Sequence, residues 1–72
     1  MKTITKNLEP DELDLAIIQH TMEGLTVKEI GAVLKRKAKT IDGRIIKMKE
    51  YYEAKKITHL VIIMLRLEYV KL

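Results

Sequence analysis

Two helical signals in this chain lie so close together that only three residues remain to turn between them. Thr26-Val27-Lys28-Glu29 is a capping box. The threonine oxygen accepts a backbone N–H of the first turn, and the glutamate reaches back to the threonine's own N–H. A helix starting there buries Ile30, Val33 and Leu34 and ends around Leu34 or Lys35. Ile41, Ile45, Met48 and Tyr52 then recur at steps of four, three and four, the stripe of a further helix from about Ala38 to Tyr52. Lys35-Arg36-Lys37 must therefore contain the turn, although it holds neither glycine nor proline.

Elements of the same kind flank this pair. A first helix is expected to begin near Pro10, because proline at the first helical position costs no hydrogen bond. Asp11 and Glu12 suit the positive end of its dipole, and Glu23-Gly24 stops it. Leu13, Ile17 and Thr21 line one stripe, and Leu15, Ile18 and Met22 a second. A loop at Glu53 to Lys56 leads to a fourth helix, Ile57 to about Tyr69. Ile57, Leu60, Val61, Met64 and Leu65 can face the other helices, while Ile62, Ile63 and Leu67 face elsewhere. A helix apolar on two sides calls for a partner. The alternative is a strand, since the end of the chain partly alternates and Val61-Ile62-Ile63 is branched.

The expected class is all-α: a loose arm over residues 1–7 and one small four-helix domain over 8–72. With 72 residues and no cysteine, disulfides and thiolate zinc sites are excluded. His20 and His59 have no ligand-spaced partner, so no metal or other cofactor is expected. No nucleophile–base pair, paired carboxylates or phosphate loop points to an enzyme. The N-terminal stretch MKTITKNLEP lacks the apolar core of a signal peptide. The longest apolar run, Leu60 to Leu65, is too short to cross a bilayer. A soluble, cytoplasmic protein is expected.

Charge is divided along the chain. Residues 1–24 set Lys2 and Lys6 against Glu9, Asp11, Glu12, Asp14 and Glu23. Residues 35–49 set Lys35, Arg36, Lys37, Lys39, Arg44, Lys47 and Lys49 against Asp42 alone. A net charge of +4, polarised in this way, suits an oriented encounter with a polyanion.

From Gly24 to Val61 the sequence resembles the DNA-binding domain of the LuxR/GerE family of bacterial transcription regulators. The residues that carry the resemblance are Gly24-Leu25-Thr26, Lys28-Glu29-Ile30, Leu34, Thr40-Ile41-Asp42-Gly43-Arg44 and Leu60-Val61. The resemblance implies a helix-turn-helix in which the third helix enters the major groove and the second crosses the backbone. It implies phosphate contacts from Lys28, Lys39, Thr40, Arg44 and Lys47, and base contacts from Asp42, Gly43 and Ile46. It further implies a homodimer through the fourth helix, with Ile62, Ile63, Arg66 and Leu67 at the interface. No receiver or ligand-binding domain accompanies this domain in the chain, so a regulatory protein partner is a further expectation.

Two glycines stand inside helices. Gly31 lies where the family usually has alanine and reads as a close packing contact. Gly43 lies on the outward face, where packing does not ask for it, and would let the helix approach a groove closely. The alternative function is a protein-interaction module on the same scaffold that has lost specific DNA reading. Asp42, which phosphate repels, and the exposed Ile46 motivate it.

Overall fold

The computed structural model describes residues 10–72 and contains four helices. These are α1 (Glu12–Met22), α2 (Val27–Leu34), α3 (Ala38–Tyr52) and α4 (Ile57–Arg66). Among the described residues there is no strand, so the C-terminal segment takes the helical alternative. The expected arm, residues 1–7, and the first two residues of the expected domain lie outside the described residues.

Packing follows the apolar stripes. α2 pairs most extensively with α3; α4 packs on α3, and α1 on both α2 and α3. Ile17 and Ile18 of α1, Ile30 of α2, Ile41, Ile45 and Met48 of α3, and Leu60 and Met64 of α4 form the core. Each helix thus contributes branched or flexible apolar side chains from one face, and all of them meet at α3. Tyr52 packs against this core, half-buried. Ala54 and Val70, one from the α3–α4 loop and one from beyond α4, complete it; neither belongs to a helical stripe.

Three expectations need correction. α1 begins at Glu12, with Asp11 as its N-cap and Pro10 outside it. Asp11 Oδ1 accepts the Asp14 N–H at 2.9 Å, and Asp14 Oδ2 accepts the Asp11 N–H at 3.3 Å. This reciprocal box satisfies two end groups and outweighs proline's preference for the first turn. Val33, expected in the core, is 54% exposed. Val27, Ile30, Gly31 and Leu34 share the inward face of α2, and Val33 lies about 100° round from its centre. α4 ends at Arg66 and not near Tyr69, because the chain reverses at Glu68 and tucks Val70 into the core.

All four helices stop in the same way. A residue with positive φ follows each one: Gly24 at +92°, Lys35 at +59°, Glu53 at +57° and Glu68 at +63°. The next N–H then reaches back five residues: Leu25 to His20 O, Arg36 to Gly31 O, Ala54 to Lys49 O and Tyr69 to Met64 O, at 2.8–3.1 Å. This is the Schellman arrangement, which satisfies orphan carbonyls at a helix end. Glycine takes the left-handed conformation freely, whereas other residues give up about 1 kcal/mol. Only α1 therefore carries a glycine stop signal readable in the sequence.

Gly31 explains how three residues suffice for the α2–α3 turn. A Cβ built there would lie 2.7 Å from the backbone oxygen of Arg36 and 3.4 Å from the Ala38 nitrogen. The close approach is to the turn itself, and the alanine usual in the resembling family does not fit this backbone. Gly43, also inside a helix, has nothing within 4 Å of such a Cβ among the described residues. The two substitutions should therefore have opposite signs. Helix propensity favours alanine by about 1 kcal/mol at both positions. At Gly31 overpacking against backbone costs about 1–3 kcal/mol. In urea melts, Gly43→Ala is expected to stabilise by up to about 1 kcal/mol and Gly31→Ala to destabilise. Stabilisation by both would mean that the Gly31 contact is not tight.

Candidate nucleic-acid interface

The outward side of α3 is built by subtraction. Ile41, Ile45 and Met48 commit one face to the core. The residues left opposite are Lys39, Gly43, Ile46, Lys47 and Glu50, with Asp42 at one edge, all exposed. Five of the expected DNA-contacting residues thus share one helical surface. Ile46 is 44% exposed between charged neighbours, and Gly43 leaves the backbone bare at mid-helix. Thr40 is exposed at the edge of this face. Lys28 lies exposed in the first turn of α2, inside the Thr26 capping box. Thr26 Oγ1 accepts the Glu29 N–H at 3.2 Å, and Glu29 Oε1 accepts the Thr26 N–H at 2.8 Å.

The start of α3 is strongly positive. Lys37 is the N-cap and makes no side-chain capping bond, and the first turn holds no acid. Lys35, Arg36, Lys37 and Lys39 are all exposed there. Their charges add to the positive end of the helix dipole. An acidic cap would stabilise this end; the cations oppose it and raise the local potential.

Arg44 stands apart from the other expected phosphate contacts. Its Nη1 donates to Asp11 Oδ2 at 2.9 Å, Asp11 Oδ1 at 3.1 Å and Asp14 Oδ1 at 3.0 Å. The negative and positive thirds of the sequence therefore meet inside the molecule, and the guanidinium ties the middle of α3 to the start of α1. Asp14 is the one buried charged residue in the described structure, its side chain 12% exposed. The Asp14 N–H, and then Arg44, hold the Asp11 carboxyl below the usual carboxylate range. Asp11, followed by Asp14, raises the Arg44 pKa. The Asp-x-x-Asp spacing of Asp11 and Asp14 is the sequence signal for this box, a stronger one than Pro10.

On α4, Ile62, Arg66 and Leu67 are exposed, the two apolar ones at 48% and 51%. Ile63 turns inward and packs half-buried on the core, so it is not part of that outer surface. His20 Nδ1 lies 2.8 Å from Glu23 Oε1, and His59 is exposed. Among the described residues no three His, Asp or Glu side chains gather as a metal-binding group. Among them, too, no helix is long and apolar enough to cross a membrane.

Removing Arg44 should leave Asp14 nearly buried without its cation. Both Arg44 and Asp11 are substantially exposed, so solvent reduces the loss. Arg44→Ala is expected to destabilise by about 1–2 kcal/mol at pH 7. A lowered carboxyl pKa contributes stability above the unfolded value near 4 and loses it as pH falls through the folded value. The gap between wild type and Arg44→Ala in urea melts should therefore narrow from pH 7 to pH 3. An equal gap at both pH values would remove the ion pair as its cause. Comparison with protein-family models, curated proteins and solved structures gives no match for the chain.

Proposed function

We propose that this domain binds double-stranded DNA as a small transcription regulator of helix-turn-helix type, with α3 in the major groove. The observation that carries this reading is the outward face of α3. Lys39 and Lys47 flank a bare backbone at Gly43 on an unobstructed helix that follows α2 after three residues. A helix fits the major groove if its outer side chains do not hold it off. The resemblance to the LuxR/GerE DNA-binding domain points the same way.

In this reading Lys28, Lys39, Thr40 and Lys47 meet phosphates, with the cations at the start of α3 steering approach. Such contacts set register and carry no sequence information. Asp42 can accept from the cytosine amino group, and Ile46 can pack on a thymine methyl. Ile62, Arg66 and Leu67 on α4 would pair two copies, placing the domain on a two-fold site in the cytoplasm. A protein-interaction role on the same scaffold is favoured by the exposed Ile46 and by Asp42 at the edge of the face, an apolar group and an acid beside the lysines. A regulatory protein would then be the main partner.

Fluorescence anisotropy of a labelled duplex, titrated at several salt concentrations, tests the proposal. Affinity should fall steeply with salt. The Lys39→Glu, Lys47→Glu double variant should lose about a hundredfold in affinity and about 2 in the log–log salt slope. Salt-insensitive binding, or a variant that binds normally, would exclude α3 as the DNA-contacting surface. In sedimentation equilibrium, Leu67→Glu should shift a dimer to monomer; a wild-type monomer at high concentration would remove the α4 interface.

A further inference from the structure

Arg44 sits at the edge of the proposed DNA-contacting face but is bonded away from it. It is four residues after Thr40 and three before Lys47, the helical spacings that place side chains side by side. Both neighbours are exposed. Yet Nη1 of Arg44 is shared among three carboxylate oxygens at 2.9–3.1 Å. Two carboxylates against one guanidinium leave a net negative charge beside the lysines of α3. Asp11 is the more exposed of the two, its side chain 57% exposed against 12% for Asp14.

We propose that the Asp11–Asp14 pair competes with duplex phosphates for Arg44 and so limits the affinity of the basic face of α3. The inference rests on the DNA-binding reading above. Phosphate and carboxylate both accept from a guanidinium; Nη1 is taken by the carboxylates, and a phosphate reaching Nε or Nη2 meets the repulsion of both. The carboxylates are already in place: Asp11 and Asp14 hold each other through the α1 capping box, so no ordering is needed to engage Arg44. The α1 start thus acts as an internal stand-in for one phosphate. Its release would add one contact to the interface without changing the lysines.

A contact differs measurably from a change in general charge. Each neutralised phosphate adds about 0.9 to the slope of log affinity against log salt. Loss of two negative charges beside the face also raises affinity without a contact. That gain persists when Arg44→Gln is added to the Asp11→Asn/Asp14→Asn double variant, whereas the contact's about 0.9 in slope does not. The test is a duplex titration at several salt concentrations with wild type, Asp11→Asn, Asp11→Asn/Asp14→Asn, Arg44→Gln and the triple variant, each checked for helicity by circular dichroism. Asparagine caps a helix as well as aspartate does. The double variant should bind about five- to tenfold more tightly at low salt, with a slope steeper by about 0.9. Arg44→Gln should keep the wild-type slope. Should the double variant fail to fold, Asp11→Asn decides: a slope steeper than wild type supports the competition and an unchanged slope overturns it. A slope lower by about 0.9 in Arg44→Gln also overturns it, by showing that Arg44 already contacts phosphate. Steep wild-type binding with no slope change in a folded double variant overturns the competition alone. Absence of duplex binding by every protein, even at low salt, overturns both it and the DNA-binding reading.

Discussion

The contact between Gly31 and the Arg36 peptide determines how α2 passes into α3. The Arg36 N–H donates to Gly31 O at 2.8 Å, while its own carbonyl oxygen occupies the space a Gly31 side chain would need. This double contact folds the chain back after a single left-handed residue, Lys35. The reversal sets where α3 starts and therefore which of its faces meets the core. With Ile41, Ile45 and Met48 turned inward, Lys39, Gly43 and Lys47 can only point outward. One missing methyl on α2 thus positions a surface on α3.

A second tie fixes α3 from the other side. Arg44 joins it to the N-terminus of α1, so the helix is held by apolar contacts along its length and by charge at its middle. Surface ion pairs generally contribute little to stability. This one differs in that Asp14 is nearly buried and needs a cation. The arrangement also redistributes charge. The sequence shows an acidic third and a basic third, but in the folded molecule they neutralise each other in part. What remains uncompensated is concentrated at the start of α3, where Lys35, Arg36, Lys37 and Lys39 have no acid in the first turn beside them.

Much of the fold was legible because its signals are local. The Thr26–Glu29 capping box and the four-residue stripe of α3 placed both central helices within a residue of their bounds. The failures have separate physical causes. Three of the four helix stops use lysine or glutamate in a left-handed conformation, for which composition gives no warning; the apolar stripe still marks the α3 stop, while α4 ends earlier than its apolar pattern predicts. The apolar spacing predicts Val33 in the core, but Val27, Ile30, Gly31 and Leu34 already form the inward face of α2 and Val33 lies about 100° round from its centre. The partnership of Arg44 with Asp11 and Asp14 joins residues thirty apart, so periodicity could not reveal it. The exposed residues of the candidate site were easier to read, since each lies opposite a core stripe that the sequence displays.

Amide chemical-shift mapping of the labelled protein during titration with a duplex tests the central claim most directly. If α3 is the DNA-contacting helix, the largest changes will cluster on Lys39, Asp42, Gly43, Ile46 and Lys47, with Lys28 of α2 beside them. Changes confined to the outer side of α4 around Ile62 and Leu67, or no changes at low salt, would contradict it.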